Sequence, residues 1–261
     1  MLLHVNRFAE SIRNATENDI RSDVTLNGRL VLNSAGPLVI SYAPFEHIQH
    51  GARVAIIGIT PGAQQAANAL CEFRRQLLAG IGTSAALAAA KVLASFSGPM
   101  RVNLVAMLDR IGLARWLKLP TTAALWASHG QLVHFTSVLR YPVRFRGSNY
   151  NGQPSMTAVA PLLQLVEECL REEVAALPDA VWIPLGRTAS VGLQHLVHAG
   201  ALDPARVLPG LPHPSGANGE RVAYFLRRKA KRHLSLKTNP AALDAAHDRL
   251  CSLVEKLPTS G

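Results

Sequence analysis

What most limits the fold of this chain is the way short, mainly apolar runs alternate with segments of helical spacing. The runs Arg53 to Ile59, Leu132 to Leu139, Ala180 to Leu185 and Val207 to Leu211 read as strands. Between and after them, Ala63 to Leu78, Thr83 to Phe96, Val159 to Leu177, Thr188 to His198 and Asn218 to Leu234 carry apolar residues at helical intervals. A strand with no polar face must be covered on both sides, and strand-helix alternation supplies that cover, so the expectation is an α/β fold with a parallel sheet. With 261 residues, 48% of them hydrophobic, there is material for a single large domain. Two additions are expected. About 1–45 reads as a hairpin extension, with Asn27-Gly28 turning the run Val24 to Leu32 and an edge strand from Pro37 to Tyr42. About 238–261 reads as a tail whose Ala241 to Leu257 segment is an amphipathic helix, free to close the core or to meet another copy; the oligomeric state is not fixed by the sequence.

In an open parallel sheet, ligands bind beyond the carboxyl ends of the strands. Four loops are therefore expected to converge: those around Thr60, after Leu139, around Gly186-Arg187 and around His213. The first, Gly58-Ile59-Thr60-Pro61-Gly62, lacks the Gly-Lys-Ser/Thr of a nucleotide-triphosphate loop. Its Pro61-Gly62 turn brings backbone close to a ligand at the start of a helix. By itself it is equally a plain structural turn. In the last loop, His213 stands between Pro212 and Pro214, so its imidazole is held in place and able to donate to developing negative charge. The competing reading is a histidine satisfied by a loop carbonyl.

Charge narrows the ligand class. The chain has 27 Lys+Arg against 17 Asp+Glu, a formal net charge of +10. Asp109 is the only acidic residue between Phe73 and Val166, and Arg221 to Lys237 holds seven cations without a carboxylate. Nucleic acid is the first partner to expect. Cys71, Cys169 and Cys251 are too far apart for zinc or iron–sulfur ligation, and the ten histidines form no ligand pair, so no metal and no cofactor is expected. The N-terminus lacks a signal-peptide core, and Ala85 to Phe96 is too short to span a bilayer and carries Lys91, which points to a cytoplasmic protein without a membrane segment.

The two loops in this order resemble the motifs of the uracil-DNA glycosylase superfamily. There, a strand runs into a G-x-x-P-G or related turn, and a later strand runs into H-P-S; here these are Val54 to Gly62 and Leu208 to Ser215. Val181 to Ala189 is similar to the family's third strand with its Leu-Gly-x-x-Ala exit. The resemblance covers roughly Phe45 to Lys231 and implies a three-layer α/β/α sandwich around a short, mainly parallel sheet. It also implies a monofunctional DNA glycosylase, which flips a nucleotide out of DNA and hydrolyses its N-glycosidic bond to leave an abasic site.

On that resemblance His213 is the donor to the leaving base, and Thr60, with Gln64 one turn on, places the attacking water. Base contacts are expected from Ile59, Ser137 and Tyr141. DNA contacts are expected from Pro61, Gly62, Arg144, Arg146, Ser215, Asn218, Arg227, Arg228 and Lys231, with a wedge into the duplex either small or supplied by Arg144-Phe145-Arg146. Relatives with an iron–sulfur cluster use four cysteines, so the chain looks closer to the cluster-free branches. Where many relatives carry an Asn that reads uracil, this chain has Phe135-Thr136-Ser137-Val138. The shorter Ser137 and Thr60 leave room for a modified or damaged pyrimidine, such as a bulky base of viral DNA in antiviral defence, with uracil in base-excision repair as the other case. Two rivals remain: a non-catalytic base or DNA reader on the same fold, and a small-molecule enzyme on an unrelated α/β fold.

Overall fold

The computed structural model describes residues 3–258. Residues 1–2 and 259–261, the outer ends of the two expected additions, lie outside the described residues. The chain opens with helices α1 (Leu3–Asn14) and α2 (Glu17–Ser22), then β1 (Val31–Ala35), β2 (Leu38–Ser41) and β3 (Val54–Gly58). Helices α3 (Ala63–Leu78), α4 (Thr83–Ala94), α5 (Pro99–Arg110) and α6 (Leu113–Trp116) lead to β4 (Val133–Ser137), β5 (Val143–Phe145) and β6 (Ser148–Asn149). After α7 (Ala160–Leu165) and α8 (Arg171–Ala176) come β7 (Val181–Pro184), α9 (Gly186–His198), α10 (Gly219–Phe225) and α11 (Pro240–Glu255).

The fold is α/β. Strands β4, β3 and β7 form a parallel sheet in that order, with Val54 level with Val133 on one side and Val181 on the other. All five residues of β3 are buried, and their alternation divides the core. Ala55, Ile57 and Trp182 pack with α1, α3, α4 and α9 on one face; Val54, Ile56, Phe135 and Ile183 pack with α5, α6, α10 and α11 on the other. The expected strand Val207 to Leu211 is reduced to one parallel bridge between Val207 and Trp182. Pro209 and Pro212 have no N–H for a ladder. The segment is still tied down: Leu208 N donates to Trp182 O (2.9 Å) and Gly186 N to Leu211 O (2.9 Å).

The N-terminal reading needs correction. Residues about 1–45 are not a hairpin alone, because two helices precede it, and the turn is at Gly36-Pro37 rather than Asn27-Gly28. Leu26, Asn27 and Gly28 do have positive φ (49°, 56° and 81°), but in consecutive tight turns organised by Asp23, which accepts from Thr25 N and Asn27 N. The carboxylate cap outcompeted strand pairing. Sheet order β1-β2-β5-β6 places the hairpin against the loop after β4. The expected long basic helix from Asn218 to Leu234 ends at Phe225, and Arg227 has φ 60° in the turn beyond it.

A charged cluster is sealed beneath the β4 edge. Glu173 of α8 accepts from Arg140 Nε (2.8 Å) and from His134 Nε2 (3.1 Å), with Lys91 Nζ at 4.0 Å. Lys91 Nζ donates to His47 O (2.6 Å), and Gln49 N donates to His134 Nδ1 (3.3 Å). His134 is therefore a neutral ring with its proton on Nε2. Burial, reinforced by the Lys91 charge, holds its pKa down at about 4. Burial alone would raise Glu173, but Arg140, Lys91 and the His134 bond outweigh it and keep that carboxyl well below the usual range. Removing one partner of so buried a set leaves an uncompensated charge, a loss of about 3–5 kcal/mol.

The His134 shift has a definite sign. Between about pH 6.5 and about 4 the unfolded chain takes up a proton that the folded chain refuses, so stability falls as pH falls through that window. The loss approaches on the order of 3 kcal/mol at the acidic end. Urea denaturation at pH 7 and pH 5 measures it. His134→Gln, which keeps a donor toward Glu173, is expected to flatten the pH dependence even if it lowers stability at pH 7.

Candidate functional site

A cleft of about 1080 Å³ opens at the carboxyl ends of the parallel strands. Its floor is Gly58 at the end of β3, Ser137 at the end of β4 and Leu185 just past β7. The strands are locked together there: Val138 N donates to Gly58 O (3.0 Å), Leu139 N to Ile59 O (2.9 Å) and Leu185 N to Ile57 O (2.9 Å).

His213 is set into this floor. Ser215 N donates to its Nδ1 (3.3 Å), which places the proton of the neutral ring on Nε2. Burial lowers its pKa from the ordinary histidine value, so the neutral ring is the resting form at pH 7. Asn103 of α5 donates from Nδ2 to Pro214 O (3.0 Å) and fixes the loop from outside. From below, the loop rests on Gly186, where φ is +81° and an added Cβ would lie 3.2 Å from His213 Cβ. The Leu185-Gly186 exit of the third strand is thus explained by contact: only glycine accepts both the backbone angle and the approach.

Of the residues expected from sequence, Ile59, Thr60, Gly62, Ser137, His213, Ser215 and Asn218 line the cleft together. Thr60 has a different occupation from the one expected. Its hydroxyl donates to Tyr141 O (2.9 Å) and accepts from Val143 N (3.1 Å), clamping the start of β5 to the first loop. Pro61 is buried beside the cleft, in a small hollow that shares Gln65, Phe96 and Ser137 with it. The helix start at Gly62 is not an open anion site, because Gly62 N donates to Gln65 Oε1 (3.2 Å) and Ala63 N to Asn149 Oδ1 (3.3 Å).

Several expected residues lie elsewhere. Gln64 is bonded to Asn68 and, with Arg144, faces a separate shallow groove beside Asp23. Tyr141 is buried in the core, its hydroxyl donating to Glu46 (3.1 Å), and it does not line the cleft. Arg144 donates to Gly147 O within its own hairpin, Arg146 lies over the Phe145 ring, and Phe145 packs against the core. Arg227 is paired with Asp244 (2.5 Å), which neutralises it. Arg228 and Lys231 follow in the loop beyond α10, outside the cleft wall.

The cleft has residues the sequence reading missed. Phe96, Met100, Gln65, Asn149 and Asn151 line it, and so does α11 through Ala242, Leu243, Ala246 and Arg249. Gly210 permits that last contact: its missing Cβ would sit 3.2 Å from Ala246 Cβ. The Ala-rich spacing predicts a helix through Phe96, but Phe96 stands past the end of α4 with φ 49°, where the sequence signal is the Ser95-Phe96-Ser97-Gly98-Pro99 break. Among the lining residues the cations are Arg187, Arg221 and Arg249, and there is no carboxylate. Such a cleft attracts anions and has no strong general base.

Among the described residues, no group of three or more His, Cys, Asp or Glu is placed to hold a metal ion. Nor is any helix among them long and apolar enough to cross a membrane.

Fold and cleft together define an α/β protein with a cationic, carboxylate-free site at the carboxyl edge of a parallel sheet. No family model matches the chain, and no solved structure matches it. Over 249 residues, 94% of this chain and 96% of the relative, it is 32% identical to the uncharacterized protein YoxB of Bacillus subtilis strain 168. The chain belongs to the same family as YoxB.

Gly186→Ala tests the support of the His213 loop. A side chain at φ +81° costs about 1–2 kcal/mol, and His213 must move to admit it. The expected outcome is a lower denaturation midpoint together with a shifted His213 imidazole signal in NMR. An unchanged signal would show that Gly186 does not set the ring's position.

Proposed function

We propose that this chain is a monofunctional DNA glycosylase of the uracil-DNA glycosylase kind, acting on a nucleotide flipped out of DNA into the cleft. The observation that carries the reading is His213: a fixed, neutral imidazole whose Nδ1 is engaged by Ser215 N, leaving Nε2–H as a donor in a carboxylate-free cationic cleft. As the glycosidic bond breaks, charge builds on the leaving base, and one aligned donor in a water-poor site stabilises it by about 3 kcal/mol. The sugar becomes an electrophile that water attacks without a strong base, which agrees with the missing carboxylate. The three-layer α/β/α description belongs to the same proposal, supported by core clusters on both faces of the parallel sheet. So does a cytoplasmic location.

The floor argues about the base. Gly58, Ser137 and Thr60 are small, and Phe96 offers an aromatic surface beside them. Ser137 lacks the amide that reads a uracil edge through two hydrogen bonds. A pyrimidine with a bulky substituent fits this floor better than unmodified uracil.

One observation favours a second reading, a base reader that does not excise. Thr60 is the polar side chain of the first loop, and its hydroxyl is already bonded on both sides. Water placement then falls to backbone or to Gln65, and a protein with neither in position would bind without cutting.

Base release measured by mass spectrometry from uracil-containing, mismatched and phage-type modified DNAs separates the two. Wild type is expected to release one substituted pyrimidine, and His213→Ala to lose about 10²–10³-fold in rate with DNA affinity retained. The rate of wild type is expected to fall on the acid side of pH 6.5, because protonating Nδ1 breaks the Ser215 bond and the lowered pKa sets that limb below the ordinary histidine value. DNA binding without release of any base supports the reader, and strong preference for uracil refutes the substituent argument.

A further inference from the structure

The motifs behind the glycosylase reading end near Lys231, yet α11, which lies beyond them, walls one side of the cleft through Ala242, Leu243, Ala246 and Arg249. These positions, at i, i+1, i+4 and i+7, share one helical face. A second face closes the core, where Ala246, Leu250 and Val254 are buried. A third holds the helix down: Asp244 accepts from the Tyr224 hydroxyl (2.9 Å) and is paired with Arg227. Packing and anchoring therefore leave the cleft face largely unused, with Ala242 and Arg249 exposed and Leu243 half-buried.

Charge is sorted around α11 in the same sense. Its carboxylates are Asp244, Asp248 and Glu255, none of which lines the cleft, while Arg249, its one Lys/Arg, does. Arg249 Nη2 donates to Pro209 O (3.3 Å), and Arg187 follows Gly186, whose N–H is bonded to Leu211 O (2.9 Å). Two arginines are thus based at opposite ends of one short segment, Pro209 to Leu211, which itself lines the cleft. In the middle of that segment Gly210 meets α11: an added Cβ would lie 3.2 Å from Ala246 Cβ and 3.3 Å from Arg249 Nη2. Segment and helix make one continuous surface, apolar at Leu211, Leu243 and Ala246 and cationic at its edges. Size points the same way. Clefts for one small ligand run roughly 300–1,000 Å³, and this one, at about 1080 Å³, has room beyond a single nucleotide.

We propose that α11 and the Pro209–Leu211 segment form a second subsite, which takes the nucleotide next to the one at His213, its base against Leu243 and Ala246 and its phosphate on Arg249. This rests on the reading that the cleft takes a nucleotide of DNA. Two neighbours of one strand can both enter a cleft only when neither is paired, so the subsite makes unpaired DNA the preferred substrate form.

The test uses the full chain and a fluorescein-labelled decathymidylate read by anisotropy, with thymidine 5′-phosphate and dithymidylate as competitors. For wild type the second nucleotide is expected to strengthen binding about tenfold or more, and decathymidylate to bind more tightly than its matched duplex. Arg249→Ala is expected to erase most of the step between the competitors while thymidine 5′-phosphate binds as before. The same variant should lower the log–log salt slope for decathymidylate by about 0.7, the share of one single-strand phosphate, and Arg249→Lys should restore it. Ala242→Glu, at the third position of the helix where a carboxylate is well accepted, is expected to weaken dithymidylate but not the mononucleotide. Arg249→Ala that weakens both competitors equally, as loosening of the His213 loop through Pro209 would, overturns the subsite. So does a wild type with no step between them, or one that prefers the duplex; base release remains a separate measure of the glycosylase reading in each case. A step that depends on Arg249, with no base released from any DNA, overturns the glycosylase and supports the subsite. Wild type that binds no decathymidylate overturns both.

Discussion

The backbone of β3 is the constraint from which the site hangs. It is paired on both sides along its length, and the pairing continues past its end, where Ile57, Gly58 and Ile59 carbonyls take the N–H groups of Leu185, Val138 and Leu139. Three chain segments are thereby forced to leave the sheet at the same level. A parallel strand cannot be shifted by one residue without turning its core side chains over, and here that would exchange Ile56 and Ile57 between two separate cores. The cleft floor inherits this register, so its geometry is as secure as the core itself. The fourth segment has only one bridge, and it is held instead by Gly186 N, Asn103 and the contact of Gly210 with α11.

The buried charges work on the other side of the same edge. Arg140 follows Leu139, the residue bonded to Ile59 O, and its guanidinium reaches Glu173, Glu172 and the Cys169 carbonyl. The loop leaving β4 is therefore pinned into the core before it turns back as β5. Thr60 completes the pin by bonding Tyr141 O and Val143 N. An ion set this buried contributes little net stability, but it has one low-energy arrangement, and that arrangement fixes where Ser137 and the hairpin carrying Asn149 stand. Position is what the cluster supplies.

These facts explain what was legible in the sequence. The three parallel strands were readable because a short, mainly apolar run set between helical segments admits few other environments, and the two glycine-containing loops because their residue types are tied to backbone angles. The N-terminal helices were not: Leu3 to Asn14 has a polar face with no glycine or proline to mark its limits, and Asn27-Gly28 is a hairpin signal that a single upstream carboxylate, Asp23, diverts. Gln64 and Gln65 differ only in which face of α3 they occupy, and helical phase was too coarse to choose between them before the Gly62 contact was known. Tyr141 was assigned to a ligand because it sat in a loop, yet the loop is drawn inward by Glu46. Arg249 lies far along the chain, in a tail whose placement depends on close contact with Gly210, and nothing in the motif around that glycine names α11 as the partner it admits.

Charge counting misled in an instructive way. The densest run of cations, from Arg221 to Lys237, is the natural place to seat DNA phosphates, but its members are not equivalent. Arg227 is cancelled by Asp244 and Lys229 by Glu220, whereas Arg187, Arg221 and Arg249, spread over three helices, face the cleft with no carboxylate among its lining residues. A carboxylate beside a cation removes most of its field at a distance, so the potential that a polyanion meets is set by the uncancelled charges. The basic run is better understood as a built loop than as a binding surface of seven equal cations: Glu220 gathers it, Arg221 joins it to the cleft, and what it puts forward into solvent is a leucine.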